Sequence, residues 1–379
     1  MNYILYLLDG LSPLSVKNSK NIQFKGKKIH ENYISKLQKN SVNFSNSFGY
    51  GETFATTYQY FTGANIYNSN CDAFNLFNSF PVKKNLAYFF KKKNFNTFLY
   101  RNADENHPLG GFYGRYFKSI AENFDYISLK KKSKNYKIDN FILDQRIEKY
   151  LNQNNNNFFL IHDYSLHDNP KAYQNATPKS YLEAVNEASL VVESNLKKIN
   201  YVEKKDVLIF LSDHGLNLSP YDKMHFKNAL TKQDYQNYYL NLLSDEKIKT
   251  TFFIKFPKIS KKNIKTIITP NLVFNIIKDL PSNNLNNQYL TNFLKNNNNK
   301  IKNRVIISFR AAEQDPFNNF FFKNYFHCHF LFFSNNKKIS YSHNHPNICY
   351  DFLNKKKISL EKKIKKFQII IQNYFSIKS

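Results

Sequence analysis

Several short, almost wholly apolar runs in this chain stop abruptly on carboxylate or imidazole side chains, and this constrains the fold more than any other feature. Residues 3–8 run into Asp9-Gly10, residues 158–162 into Asp163, and Val207–Leu211 into Ser212-Asp213-His214-Gly215. An apolar run of five or six residues without alternation is the pattern of a strand buried on both faces. Runs 97–100 and 251–256 have the same character, and helical patterns lie between at 84–93, 178–199 and 271–278. Thr177-Pro178-Lys179-Ser180 gives the second of these helices an N-terminal signal, with Pro in the first turn. Strands alternating with helices predict an α/β fold, a mostly parallel sheet sandwiched by helices.

Two Asn-rich tracts, 152–157 and 295–300, read as loops. The second follows Pro281-Ser282-Asn283-Asn284 and sets the expected boundary between a catalytic domain, 1–294, and a small C-terminal α+β subdomain, 301–379. Strands are expected there at 305–309, 320–322, 327–333 and 338–342, with a closing amphipathic helix at 359–375.

With 379 residues, 42% of them hydrophobic, the chain can fill a large core, which argues against disorder. The formal net charge is +27, yet only five of the cations are Arg, amid abundant Lys, Asn, Ile, Phe and Tyr. That is the bias AT-rich coding produces. We read the charge as this bias together with attraction for an anionic substrate, and nucleic acid is not the expected partner. Cys71, Cys328 and Cys349 are odd in number and widely spaced, so no disulfide framework is implied and a reducing compartment fits. The apolar stretch 320–333 is broken by Lys323, Asn324, His327 and His329 and falls short of a membrane span. A cytoplasmic protein is the expectation.

In an open α/β sheet, ligands sit beyond the carboxyl ends of the strands. Asp9 alone is weak evidence, because an Asp at a strand end is more often a turn former or helix cap. Asp213-His214-Gly215 is stronger. It offers an anionic oxygen and an imidazole nitrogen, with a glycine that permits close backbone approach. The segment after 158–162 adds His162, Asp163, His167 and Asp168, a density of titratable groups suited to an anion or metal site.

These segments, in this order, resemble the sulfatase-type branch of the alkaline-phosphatase superfamily, whose strand-end Asp and late Asp-His-Gly hold the catalytic metal. The resemblance covers about residues 1–280. It implies Asp9, Asp213 and His214 as metal ligands and a nucleophile at the start of a helix ending in a Thr-Gly step. Counting back nine residues from Thr62-Gly63 lands on Thr53, which the family also places on the metal. In sulfatases that position is a Cys or Ser, converted to formylglycine within Cys-x-Pro-Ser-Arg; here Thr53, Ala55 and Thr57 depart from the motif and the conversion cannot happen. A Thr nucleophile is similar to the phosphoethanolamine and phosphoglycerol transferases and the phosphodiesterases of the superfamily.

Further likenesses leave two pictures open. His162 and His167 resemble a His-x4-His pair that contacts substrate in the transferases. Asn102 resembles their Trp-x-x-Asn turn, and His225, in Asp222-Lys223-Met224-His225, stands where they carry a later His. Asp163 and His167 alternatively match the Asp-x3-His spacing by which phosphodiesterases hold a second zinc. The pairs His327/His329 and His343/His345 have the spacing of one strand face and are more often half-buried or solvated than ligating.

The expected function is metal-dependent hydrolysis or transfer of phosphate esters or phosphodiesters through a covalent phospho-Thr53, with His167 and His225 assisting. Zn²⁺ or Mn²⁺ is the expected metal, with Ca²⁺ or Mg²⁺ as alternatives. The implied substrate is an anionic phosphate or sulfate ester, such as a glycan or cell-surface precursor. A sulfate-ester hydrolase and a non-catalytic polyanion-binding protein on the same fold are the competing readings.

Overall fold

The computed structural model describes residues 1–13, 22–24, 27–29, 32–49, 53–63, 84–101, 120–129, 156–173, 177–215, 248–257, 261–282, 303–310, 327–334, 337–342, 349–351 and 356–357. The first apolar run is strand β1, Asn2–Leu8, buried from Tyr3 onward. It lies inside an eight-stranded sheet between β7, Asn157–Asp163, and β8, Val207–Leu211, and is parallel to both. Outward from β7 come β5, Asn96–Arg101, and β6, Tyr126–Leu129. Outward from β8 come β9, Phe252–Lys255, then β4, Val42–Ser47, then β10, Lys262–Ile268. Only β9 runs against its neighbours in this sheet, so the expected mostly parallel α/β sheet is present with one reversed strand. A short hairpin, β2 (Ile22–Phe24) and β3 (Lys27–Ile29), precedes β4.

Side chains alternate across a strand, and β1 divides accordingly between the two faces. Ile4, Tyr6 and Leu8 join the cluster built with α1, Tyr33–Lys39, and α5, Pro178–Lys198. Tyr3, on the opposite face, meets the rings of Phe90 and Phe95 edge-on at 5.5 and 5.4 Å. Phe90 belongs to α3, Leu86–Lys91, and stacks on Phe158 of β7 at 3.9 Å. The same face carries α2, Thr53–Thr62, whose Phe61 meets the His162 ring, and α2 packs on α6, Pro270–Asp279. Helix α5 starts on a capping box in which Thr177 and Ser180 exchange side-chain and backbone hydrogen bonds, preceded by the one-turn α4, Pro170–Tyr173.

Asn2, Asn157 and Asn96 are register partners at the amino edge of β1, β7 and β5. Their amides form a chain, Asn96 donating to Asn157 at 3.1 Å and Asn157 to Asn2 at 3.0 Å. The polar tract read as loop therefore ends one residue early: Asn157 is the first residue of β7, because its amide is satisfied laterally by two other strands. With register fixed at that edge, the carboxyl ends of the three strands align at the other.

Residues 303–357 contribute a separate five-stranded antiparallel sheet in sequential order. Its strands are β11 (Asn303–Arg310), β12 (His327–Ser334), β13 (Lys337–Ser342), β14 (Cys349–Asp351) and β15 (Lys356–Lys357). The strand expected at 320–322 and the helix expected at 359–375 lie outside the described residues. Among the described residues, no helix is long and apolar enough to cross a membrane.

Candidate active site

Four adjacent parallel strands, in the order β8-β1-β7-β5, end at one edge of the sheet, and each delivers a different group there. Ser212-Asp213-His214 follows β8, Asp9 follows β1, His162 is the penultimate residue of β7, and Arg101 is the last of β5. Leu7, His162 and Arg101 are register partners and so share a face of the sheet, the one that carries α2. β4 ends at the same edge, and after five intervening residues α2 begins at Thr53.

Asp9, Asp213 and His214 each present a ligand-type atom within 4.8 Å of the others, and all three are buried. His214 Nε2 lies 3.7 Å from Asp9 Oδ1 and 3.5 Å from Asp213 Oδ2. Neither of those oxygens, though buried, has a hydrogen-bond partner among the described residues. The other oxygen of Asp213 accepts from the Gly10 backbone N–H at 3.0 Å, which aims the carboxylate. His214 Nδ1 donates to the Gly215 carbonyl at 2.8 Å, leaving the Nε2 lone pair facing the carboxylates. Two orphaned carboxylate oxygens and an oriented imidazole nitrogen are a donor set for a divalent cation; without one, burying both carboxylates would be costly. The residues present therefore fit the metal that the sequence implies.

Thr53 joins this set. Its hydroxyl donates to Asp9 Oδ2 at 3.1 Å and lies 3.3 Å from His214 Nε2, at the amino end of α2 where the helix dipole favours negative charge. Gly49, at the end of β4, makes the approach feasible. A Cβ placed on it would come 2.1 Å from the Asp213 carbonyl oxygen, so a larger residue would collide with the turn that carries Asp213 and His214. That turn is tied further by Ser212, whose backbone N–H donates to Thr251 O and whose Oγ accepts from Thr251 N, both at 2.8 Å.

His162 is 3% exposed, and its Nε2 has no hydrogen-bond partner among the described residues and lies 3.7 Å from Asp9 Oδ2. Burial, reinforced by the Arg101 charge, lowers its pKa against the pull of Asp9, which favours the neutral ring. Burial lowers the pKa of His167 as well, but the Asp9, Asp168 and Asp213 charges outweigh it and the net shift is upward. Burial alone would raise Asp9; the surrounding imidazoles, His167 first, hold it well below the usual carboxylate range. Asp213 goes the other way. Burial and the Asp9 charge push it up, partly offset by His214, the Gly10 N–H and the Thr53 hydroxyl.

Asp163, the neighbour of His162, turns to the opposite side of the sheet. Its Oδ2 accepts from the Tyr6 hydroxyl, its Oδ1 accepts from Ser165 N at 2.8 Å, and Asn195 of α5 donates to the Tyr6 hydroxyl at 2.8 Å. The carboxylate is thus engaged in the α5-side core and fixes the loop that carries Tyr164 and His167. The pairing of Asp163 with His167 around a second zinc is not what this geometry brings together.

The other sequence candidates divide as follows. Asn102, His225, His343 and His345 lie outside the described residues, and His327 and His329 are residues of β12. Gly49, Arg101 and the Tyr6–Asp163 pair are site features that sequence reasoning missed. The alternation of His162 and Asp163 along β7 was the available signal for the last.

The fold and the site together define a member of the alkaline phosphatase superfamily. By structure the chain is similar to a protein in that superfamily from Vibrio parahaemolyticus, with a TM-score of 0.54 and 12% identity over 100% of this chain and 88% of that one. It is similar also to a 2-O GAG sulfatase, BT1596, with a TM-score of 0.59 and 12% identity over 99% and 92% of the two chains. The lipoteichoic acid synthase LtaP from Listeria monocytogenes gives a TM-score of 0.55 and 13% identity over 99% and 90%. No curated protein matches the sequence. The sequence profile of the sulfatase family matches residues 2–280, and the chain belongs to that family.

Proposed function

We propose that the protein is a phosphoryl-transfer enzyme that acts on a phosphate ester or phosphodiester through a covalent phospho-Thr53 intermediate. The observation that carries this reading is the Thr53 hydroxyl, 3.1 Å from Asp9 and 3.3 Å from His214, in the donor set itself. Formylglycine is an aldehyde, and oxidation at the Cβ of a threonine gives a ketone, so Thr53 must act as the hydroxyl it is.

Asp9, Asp213, His214 and Thr53 would hold one divalent cation, Zn²⁺ or Mn²⁺ by the mixture of carboxylate and imidazole donors. When bound, that ion supplies charge neutralisation at the phosphoryl oxygens and a lowered pKa for the coordinated hydroxyl. The chain's own groups do the rest. Thr53 Oγ, its proton released to solvent, forms the bond to phosphorus while the bond to the leaving oxygen breaks, and the ionised Asp9 Oδ2, 3.1 Å away, orients the hydroxyl beforehand. His162, buried and neutral, donates from Nε2 to a non-bridging oxygen. His167, whose pKa is raised, protonates the leaving oxygen. In the second step water, or the hydroxyl of an acceptor, attacks phosphorus and passes its proton to His167, which gave one up in the first step, while the Thr53 Oγ–P bond breaks and Thr53 takes a proton from solvent.

The engagement of Asp163 with Tyr6 and Ser165 supports one metal per chain over two. Hydrolysis of aryl phosphate, bis-aryl phosphate and aryl sulfate, compared side by side on the wild type and Thr53→Ala, tests the proposal. Turnover of either phosphate well above the sulfate, lost in the variant, is expected. A preference for the sulfate would favour the sulfatase reading, to which the similarity to a 2-O GAG sulfatase also points.

A further inference from the structure

From the face opposite α2, helix α5 reaches the turn after Asp9 through one hydroxyl. Tyr181, in the first turn of α5, is buried, and its ring belongs to the cluster that holds Leu11, Leu166 and Ala184. The hydroxyl donates to the Gly10 carbonyl at 2.7 Å and accepts from the Ser12 backbone N–H at 3.1 Å, so a single oxygen closes that turn. Gly10 has a φ of 74°, the left-handed region open to glycine, and glycine is also the residue least able to hold one conformation by itself. The Gly10 N–H donates to Asp213 Oδ1 at 3.0 Å, and the N–H before it, of Asp9, donates to the Asp163 carbonyl at 2.9 Å. The donor that aims Asp213 is thus held on its amino side by β7 and on its carboxyl side by Tyr181. Tyr181 is placed in turn by the capping box. Its N–H donates to the Thr177 carbonyl at 2.9 Å, and Ser180 Oγ donates to the Lys171 carbonyl at 2.9 Å.

We propose that Tyr181 is a positioning residue for the metal centre: its hydroxyl fixes the Gly10 turn and, through the Gly10 N–H, the direction in which Asp213 presents its second oxygen. The hydroxyl works as donor and acceptor at once. A phenyl ring in its place would leave the Gly10 carbonyl and the Ser12 N–H buried without that partner, a costly state that the chain relieves by turning them elsewhere. Rotation about Gly10 is the easiest route, and it carries the Gly10 N–H away from Asp213. The carboxylate then loses the hydrogen bond that aims it, and partners just behind a ligand commonly govern affinity by tenfold or more. Ser189, about two turns further along α5, gives the contrast: its Oγ accepts from the Ile34 N–H of α1 at 3.1 Å, a buried bond of the same helix that leads to no ligand. The inference rests on the reading that Asp9, Asp213 and His214 hold a divalent ion.

Binding of Mn²⁺ to the full-length wild type, Tyr181→Phe and Ser189→Ala, each first freed of metal, tests the proposal. Electron paramagnetic resonance counts the free ion and records the spectrum of the bound one. Tyr181→Phe should bind Mn²⁺ about tenfold more weakly, with a bound-ion spectrum that differs from wild type because the Asp213 carboxylate is no longer held. Ser189→Ala should keep wild-type affinity and spectrum, even if the two metal-free variants melt at the same temperature. Wild-type affinity and spectrum in Tyr181→Phe, or an equal loss of affinity in both variants, overturns the proposal. Should the phenylalanine protein not fold, Ser180→Ala replaces it, since it loosens the capping box that places Tyr181. It should weaken Mn²⁺ binding several-fold, and wild-type affinity there overturns the proposal equally. A wild type that binds no Mn²⁺ defeats the metal reading and this inference together, whereas binding that Tyr181→Phe leaves unchanged defeats the inference alone.

Discussion

Asp213 is a buried carboxylate held beside another, and the two respond oppositely to their surroundings. Its folded pKa is raised, so relative to the unfolded chain its ionisation destabilises the metal-free protein. Stability from the protonated form is complete below the ordinary carboxylate range and is lost as pH rises through the raised folded value. Asp213→Asn, which keeps an acceptor for Gly10 N–H and removes the charge facing Asp9, should therefore melt higher than wild type without metal at pH 7. The gain should shrink as pH falls through that window, and metal binding should be lost. A lower melting temperature at neutral pH would show that the pair is not strained as described. Asp163→Asn should behave differently: it leaves the Tyr6 hydroxyl and Ser165 N–H poorly matched in the core and should cost about 1–3 kcal/mol of stability, with metal stoichiometry unchanged at one per chain. A fall in stoichiometry, measured by elemental analysis under saturating Zn²⁺, would restore the second-zinc reading. Asp9, Asp213 and His214 were legible because they stand at the ends of apolar runs and sheet topology brings them together, whereas Thr53 was reached only through the family resemblance. The direction of Asp163 was not legible, because a one-residue step along a strand exchanges the two faces.

Strand ends are where this fold gathers its buried carboxylates and imidazoles, and a strand's approach to them can be as selective as its side chains. Gly49→Ala is the sharpest test at this scale. The added methyl would lie 2.1 Å from the Asp213 carbonyl, so either β4 or the ligand turn must move. Overpacking of this kind costs about 1–3 kcal/mol or more, and the shift should weaken metal binding by at least about tenfold, as changes just behind metal ligands do. A Gly49→Ala protein with wild-type melting temperature and metal affinity would contradict the close approach. β1, β7 and β8 could be read directly, since strands buried on both faces are continuously apolar. β4, β6 and β10 could not. β4 carries Asn43, Ser45 and Asn46 amid its apolar residues, and β10 at the sheet edge is half exposed, so neither has the uninterrupted run that signals a strand. The reversal of β9 has no signature in its own residues, because strand direction is set by the connections on either side.

At the scale of the whole molecule, one divalent ion should act as a ligand of the native state only, since its donors come from β1, β8 and α2 and meet only on folding. Saturating Zn²⁺ or Mn²⁺ at about 100 times its dissociation constant should add about 2.7 kcal/mol of stability, read as a rise in melting temperature that Asp9→Ala abolishes. No rise in the wild type would favour the passive polyanion-binding reading. The central claim is covalent chemistry at a single hydroxyl, and the mass of the intact chain reports it most directly. Metal-loaded protein mixed with aryl phosphate and quenched in acid within the first turnover should gain the mass of one phosphoryl group, located on Thr53 by fragmentation. Thr53→Ser should show the same gain, and Thr53→Ala should show none while losing about 10³-fold or more in turnover. A wild-type protein that turns over substrate without ever carrying that mass, or a Thr53→Ala protein that turns over at the wild-type rate, would contradict the account.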